Sequence, residues 1–234
     1  SINLKNYKKL WVNFGEDYFL RFDGKEIAWH TRVLLPHHLK NKPTIKVRHS
    51  IEGQGIEVLI YTRNVSGLFA KITNFFYGIK CEVVQATITT TENNYALDVY
   101  NIIDNPNESI SYKHYFLHIE TELTKYLKDK NTKLILSKYK KTSQATHHQI
   151  KSEVTYKKVK NDRYEIEVIT ASRPNLLGLI AKEINLLGMS IHNAKINTLG
   201  QRAEDFFIVS LKNKVGIEKQ LNNLSMNIKA QINK

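Results

Sequence analysis

"TRNVSGLFAKITNFF", Thr62 to Phe76, is a strand end, a small-residue turn and the start of a helix, and "TASRPNLLGLIAKEI", Thr170 to Ile184, repeats that layout. In the first stretch Val65, Leu68, Phe69, Ile72, Phe75, Phe76 and Ile79 recur at helical spacing and predict an amphipathic helix from Ser66 to Ile79. An offset of 108 residues places Thr62, Ile72, Ala86, Ile88 and Thr90 on Thr170, Ile180, Ala194, Ile196 and Thr198. After a one-residue deletion in a turn, Ala96 and Asp98 fall on Ala203 and Asp205. The chain therefore carries two copies of one unit in tandem.

Outward from the first helix the period changes to two. Ile56, Val58 and Ile60 alternate with Glu57 and Leu59 in a strand before it, and "TIKVRH" reads as a possible edge strand earlier still. Val84, Ala86 and Ile88 mark a strand after it, "TENN" supplies a hairpin turn, and Tyr95, Leu97 and Val99 mark the returning strand. "DNPNES" then caps a helix from about Ser109 to Lys128 with Tyr115, Leu117, Ile119, Leu123 and Leu127 as its apolar residues. The second copy runs from Ile166 and Val168 through a helix to Leu187, a strand through Ile196, the turn "LGQR", the strand "AEDFFIVSL" and a helix from about Gly216. "VTYKKV" either closes the first sheet or opens the second. The order predicts an α+β chain of two tandem ferredoxin-like βαββαβ domains preceded by a short helical segment. The expected divisions are 1–35 for that segment, 36–55 for a linker with the edge strand, 56–137 and 154–234 for the two domains, and 138–153 for a polar linker.

The lead, "NYKKLWVNFGEDYFLRFDGKEIAWHTRVLL", reads as two short helices broken at Asp23-Gly24. Its aromatic residues need a partner, either in something that precedes the lead or in the strands and helices C-terminal to it.

A net charge of +13 raises nucleic acid as a partner, but the cations are mostly Lys (28 Lys, 7 Arg) without the Arg-aromatic interleaving of a base-reading surface, so none is expected. No apolar run reaches membrane-spanning length and the N-terminus lacks a secretory layout, which predicts a cytoplasmic protein without a membrane partner. Cys81, the single cysteine, excludes an internal disulfide and reads as a small buried hydrophobe. His114 and His118 have the i, i+4 spacing of a metal face but no intervening Glu, and are assigned to an exposed helix surface. His37-His38 and His147-His148 are assigned to solvated linkers. Neither a Ser-His-Asp pattern nor a phosphate loop is present, and no catalytic or metal-binding residue is assigned.

The chemistry lies in the turns. A helix N-terminus offers unsatisfied N–H groups and the positive end of the macrodipole to a carboxylate, and Gly67 lets a ligand approach that backbone. Asn64 and Ser172 are placed to cap their helices, and Pro174 to sit within the first turn of the second. An α-amino acid supplies a fitting carboxylate and an ammonium that an acidic or carbonyl group can hold. The candidate ligand residues are Asn64, Val65, Ser66, Gly67, Leu68 and Ser172, Arg173, Pro174, Asn175, Leu176. The plainer alternative is that Gly67 permits tight packing and Asn64 caps.

"TRNVSGLFAKI" and "ASRPNLLGLI" resemble the DxPGLLxxI motif of ACT domains, βαββαβ modules that bind amino acids between paired domains. With "YALDVYNIID", "RAEDFFIVS" and above all "LWVNFGEDYFLRFDGKEIAWHT", the chain resembles the C-terminal region of bifunctional PII uridylyltransferase/uridylyl-removing enzymes. In that family the lead joins an HD hydrolase domain to an ACT pair. The resemblance implies a nitrogen sensor whose parent adds UMP to PII when glutamine is scarce and removes it when glutamine is plentiful. It also implies L-glutamine, PII and the catalytic domains of the same chain as partners, and Mg2+ for the parent but no cofactor here. Pairing of ACT domains within one chain or in a homodimer is left open. This chain has no Gly-Ser followed by Asp-x-Asp and no adjacent His-Asp pair, so it is expected to be a regulatory fragment without catalysis of its own.

The motif's acid falls on Asn64 and Ser172, its Pro on Ser66 and Pro174, and its Gly on Gly67 and Asn175. Asp98 and Asp205 could replace the missing charge or anchor the sheet, and the second is preferred. A rival implication is an ACT pair that docks on PII or the catalytic domains without binding an amino acid.

Overall fold

The hydrophobic patterns resolve, in a computed structural model describing residues 4–37, 42–50, 55–103, 111–129, 150–159, 162–211 and 216–232, into one eight-stranded sheet with helices on it. The lead forms α1 (Leu4–Val12), α2 (Glu16–Phe19) and α3 (Gly24–Leu34). Unit one is β1 (Thr44–His49), β2 (Ile56–Arg63), α4 (Leu68–Gly78), β3 (Glu82–Thr90), β4 (Tyr95–Ile103) and α5 (Tyr112–Lys128). Unit two is β5 (Glu153–Lys158), β6 (Arg163–Ala171), α6 (Leu176–Leu186), β7 (Met189–Leu199), β8 (Arg202–Leu211) and α7 (Ile217–Ile232). The strand order is β1-β2-β4-β3-β7-β8-β6-β5. Of the expected linker 138–153, residues 138–149 lie outside the described residues, and Glu153 already belongs to β5.

Each unit is the expected α+β layer of four antiparallel strands and two helices, with one change in connectivity. The strand beside β2 is β1, which precedes it in the chain, and the strand beside β6 is β5, so each copy runs ββαββα rather than βαββαβ. A hairpin closes this edge locally: Thr44 faces Tyr61 and His49 faces Ile56, so few residues separate the paired strands along the chain. "VTYKKV" therefore opens the second unit, with Val154 opposite Val168.

The units join through β3 and β7. Gln85, Ala86 and Thr87 face Asn197, Ile196 and Lys195 in antiparallel register. The 108-residue repeat carries Thr87 onto Lys195, its own partner, so the copies are related by a local two-fold axis through that pair. The axis brings α4 and α6 side by side above the junction, where Leu68, Phe69, Ile72 and Phe76 share one core with Leu176, Leu177, Ile180 and Ile184.

The other face of the sheet differs between the copies. In unit one Leu59, Tyr61, Leu97 and Val99 pack on Leu10, Phe14, Tyr18, Phe22 and Leu34 of the lead, which is why β2 is buried on both sides. The aromatic lead thus has its partner in β2 and β4, C-terminal to it, and forms three helices rather than two. Asp23-Gly24 is a helix start: the Asp23 carboxylate accepts from the Lys25 and Glu26 amides at 2.8 Å, and Glu26 accepts from the Asp23 amide. Unit two carries Glu167 and Glu204 where unit one has Leu59 and Leu97, a face made for water. Arg48 of β1 donates from Nε to Glu57 at 2.6 Å and stacks on Trp29 at 3.7 Å, fastening α3 to the first hairpin. Leu117, expected on the apolar face of α5, is 59% exposed; Ile119 and Leu123 carry that contact. Among the described residues no helix is long and apolar enough to cross a membrane.

Candidate functional site

Both strand-to-helix turns are left-handed at the same position. Gly67 has φ 77° and ψ 5°, and Asn175, its repeat counterpart, has φ 60° and ψ 23°. Asn accepts this conformation better than most side chains, so the second copy keeps the turn without the glycine. The left-handed residue delays each helix. α4 begins at Leu68 rather than Ser66, and Pro174 lies before α6, which begins at Leu176.

The caps expected at Asn64 and Ser172 are therefore not made. Gly67 and Asn175 are the N-cap residues, and neither makes a side-chain cap bond. Asn64 lies too far back along the turn; its Nδ2 donates to Thr90 Oγ1 at 3.1 Å, and the backbone amides of Asn64 and Ser172 donate to the carbonyls of Asn94 and Gln201. The first-turn N–H groups of α4 and α6 are left with no side-chain cap from the N-cap residue.

Each turn forms half of a pocket whose other half belongs to the opposite unit. The first, of about 300 Å³, is lined by residues 64–70 with Ile88, Thr90 and Asp98, and by Ala181, Ile184, Asn185 and residues 189–191 of unit two. The second, of about 620 Å³, is lined by residues 172–178 with Ile196, Thr198 and Asp205, and by Thr73, Tyr77 and residues 80–83 of unit one. The two are counterparts under the local two-fold. All ten turn residues singled out from the sequence line these pockets, as do Asp98 and Asp205. Sequence reasoning missed the halves contributed from across the junction, notably Asn185 and Tyr77. The repeat, together with pairing of the units edge to edge, is the signal that would find them.

The polar groups are unevenly committed. Ser66 Oγ donates to Asn185 Oδ1 at 2.8 Å, bringing a carboxamide across the junction onto the first turn. Arg173 donates from Nη1 and Nη2 to the carbonyls of Ile232 and Gln231, closing the end of α7. Asp98 and Asp205 are 1% and 0% exposed. Burial raises the Asp98 carboxyl to about 8, against the Thr89 amide and the Tyr100 hydroxyl, which favour its charged form. Burial raises Asp205 to about 7, with the Asn197 amide pulling the other way. Both are apolar-side positions, Asp98 between Ala96 and Tyr100 and Asp205 between Ala203 and Phe207. Cys81 is buried beside Tyr115, its Sγ 3.5 Å from the hydroxyl. Among the described residues no group of three or more His, Cys, Asp or Glu is placed to hold a metal ion.

Gly67→Ala is expected to cost about 1 kcal/mol of stability through its positive φ. The added Cβ meets the Asn185 carboxamide at an ordinary 3.5 Å, so crowding contributes little. Gly67→Asn, the second copy's own solution, is expected to cost less, and thermal melting of the two variants side by side checks the order.

With the pockets in place, the comparisons with known proteins fix the relationship. Residues 1–33 match the family described as "Uridylyltransferase GlnD fifth domain". The bifunctional uridylyltransferase/uridylyl-removing enzyme of Nitrosospira multiformis is 36% identical over 208 residues, 88% of this chain and 23% of that protein. The chain matches the C-terminal end of this enzyme family. Uridylyltransferase/uridylyl-removing enzymes of Thiobacillus denitrificans (31% identity) and Aromatoleum aromaticum (34%) each align over 86% of this chain and 24% and 23% of their own lengths. The chain thus spans about a quarter of its uridylyltransferase relatives. A solved aspartate kinase from Synechocystis aligns with 76% of this chain and 27% of its own at 11% identity and a TM-score of 0.42. The fold assignment rests on the strand order and register.

Proposed function

We propose that this chain is the glutamine-sensing regulatory part of a cytoplasmic bifunctional uridylyltransferase/uridylyl-removing enzyme acting on PII. The observation that carries the proposal is the pair of two-fold-related pockets, each made by a left-handed turn, a helix N-terminus without a side-chain cap from its N-cap residue and a buried carboxyl, on a chain similar to these enzymes. A zwitterionic amino acid matches that set: its carboxylate suits the helix N-terminus and its ammonium the carboxyl. Because each pocket draws on both units, a ligand there binds the joined arrangement better than a separated one, the differential affinity that a sensor requires.

The signal has a path to the lead. The hairpin turn between β3 and β4 gives Asn94 to the first pocket, and its Glu92 amide donates to the Asn13 carbonyl at 2.8 Å. Arg21 donates to Asn193 of unit two at 2.8 Å, so the lead touches both units.

Calorimetric titration with L-glutamine, with glutamate and asparagine as controls, tests the proposal. Saturable binding selective for glutamine and weakened in Gly67→Ala is expected. The Asn185 carboxamide held over the first turn favours the rival, an ACT pair that docks on PII or the catalytic domains unliganded. No heat and no thermal stabilisation at millimolar glutamine would overturn the sensor and shift the reading to that rival.

A further inference from the structure

The two pocket carboxyls pose a chemical problem that sheet anchoring does not solve. Asp98 Oδ1 and both carboxyl oxygens of Asp205 are buried and lack a hydrogen bond of good geometry, and the one bond to Asp98 Oδ2, from the Tyr100 hydroxyl, is long at 3.4 Å. A buried carboxylate without a partner is costly, and a carboxyl that merely braces a strand would be satisfied by its neighbours. These two recur at one position in both copies and line both pockets.

We propose that Asp98 and Asp205 are the anionic partners of a ligand's ammonium group, and that binding in each pocket expels to the buffer a proton the carboxyl held beforehand. The inference rests on the reading of the pockets as amino-acid sites and adds a proton coupling to it. The raised positions of the two groups, about 8 and about 7, make the coupling visible near neutral pH. The carboxyls start protonated, and an adjacent cation draws them toward the ordinary range.

The surroundings sharpen the expectation. Across the sheet, Asp98 faces Ile60 of β2 and Ile88 of β3, and α4 and α6 bring no titratable side chain to its pocket. Tyr100, on its own strand, is the one titratable neighbour among the described residues that acts on it. Asp205 faces Val168 of β6, and its pocket also holds Tyr77, Lys80, Cys81, Glu82 and Arg173. Arg173 is engaged by the carbonyls of α7. The first pocket is therefore the cleaner proton-coupled site.

The test is calorimetry on the 234-residue chain at pH 6.5 in two buffers of different ionisation enthalpy. L-glutamine is the probe, and glutaramic acid, the same molecule without its α-amino group, is the control. Expected are release of about one proton per glutamine and an affinity that falls roughly tenfold for each pH unit below 7. Asp98→Asn and Asp205→Asn, of nearly unchanged shape, are each expected to abolish release at their own pocket and weaken glutamine at least about tenfold, the loss of one charge-assisted pair. Glutaramic acid is expected to bind weakly and release none. Glutamine binding without proton release, or with affinity unchanged in both Asn variants, overturns the inference while leaving the sensor standing. No binding of glutamine by the unaltered chain overturns both.

Discussion

Phe207→Ala is expected to lower stability by about 3–5 kcal/mol, the usual cost of emptying a buried aromatic site. Phe207 is fully buried at the centre of β8, opposite Ile166 of β6 and Ala194 of β7. Its ring meets Phe69 of α4 edge-on at 5.9 Å, so a side chain of unit two is packed by a helix of unit one. The deletion therefore damages the junction as well as its own unit. Both tryptophans, Trp11 and Trp29, lie in the lead on the far side of unit one, and their fluorescence reports on that end of the molecule. If the units share one core, the tryptophan transition in urea shifts to lower concentration by the same amount as the loss of circular dichroism. A tryptophan midpoint that stays in place while the dichroism midpoint falls would mean that the units unfold separately and that the junction is weak.

How far the sequence discloses this molecule depends on the range of each signal. Alternation from Ile56 to Ile60 and helical spacing from Leu68 to Phe76 are local, and those elements stand where the pattern puts them. The helix start is displaced by two residues because Gly67 goes left-handed, a backbone choice that hydrophobic spacing does not encode. The caps at Asn64 and Ser172 fail for the same reason. The order of strands is a global property: the same pattern allows a closing strand before or after each unit, and the short β1–β2 hairpin decides it. At the pockets, the turn halves are legible as motif positions. Asn185 and Tyr77 sit roughly 100 residues or more along the chain from the turns they face, about one repeat length, and become neighbours when β3 pairs with β7. Asp98 and Asp205 are visible as repeat partners, but their burial, the property that gives them chemistry, belongs to the folded chain.

Arg48→Ala is expected to cost about 3 kcal/mol, because it takes the guanidinium away from a buried carboxylate and removes its stacking on Trp29. Glu57 is 4% exposed, and the Arg48 side chain is covered by Trp29 on one side. Removing Arg48 takes its guanidinium from that buried carboxylate and uncovers the Trp29 ring on which it stacked. Replacing both partners, Arg48→Met with Glu57→Leu, removes the charges together and fills similar volume, so the double variant is expected within about 1 kcal/mol of the starting chain. Urea denaturation followed at the tryptophans measures both. Equal losses in the single and double variants would locate the value of Arg48 in its stacking on Trp29 and its hold on α3, since charge compensation would then contribute nothing. A recovered double variant would mean that the lead is fastened to the first hairpin by packing that a neutral pair can supply.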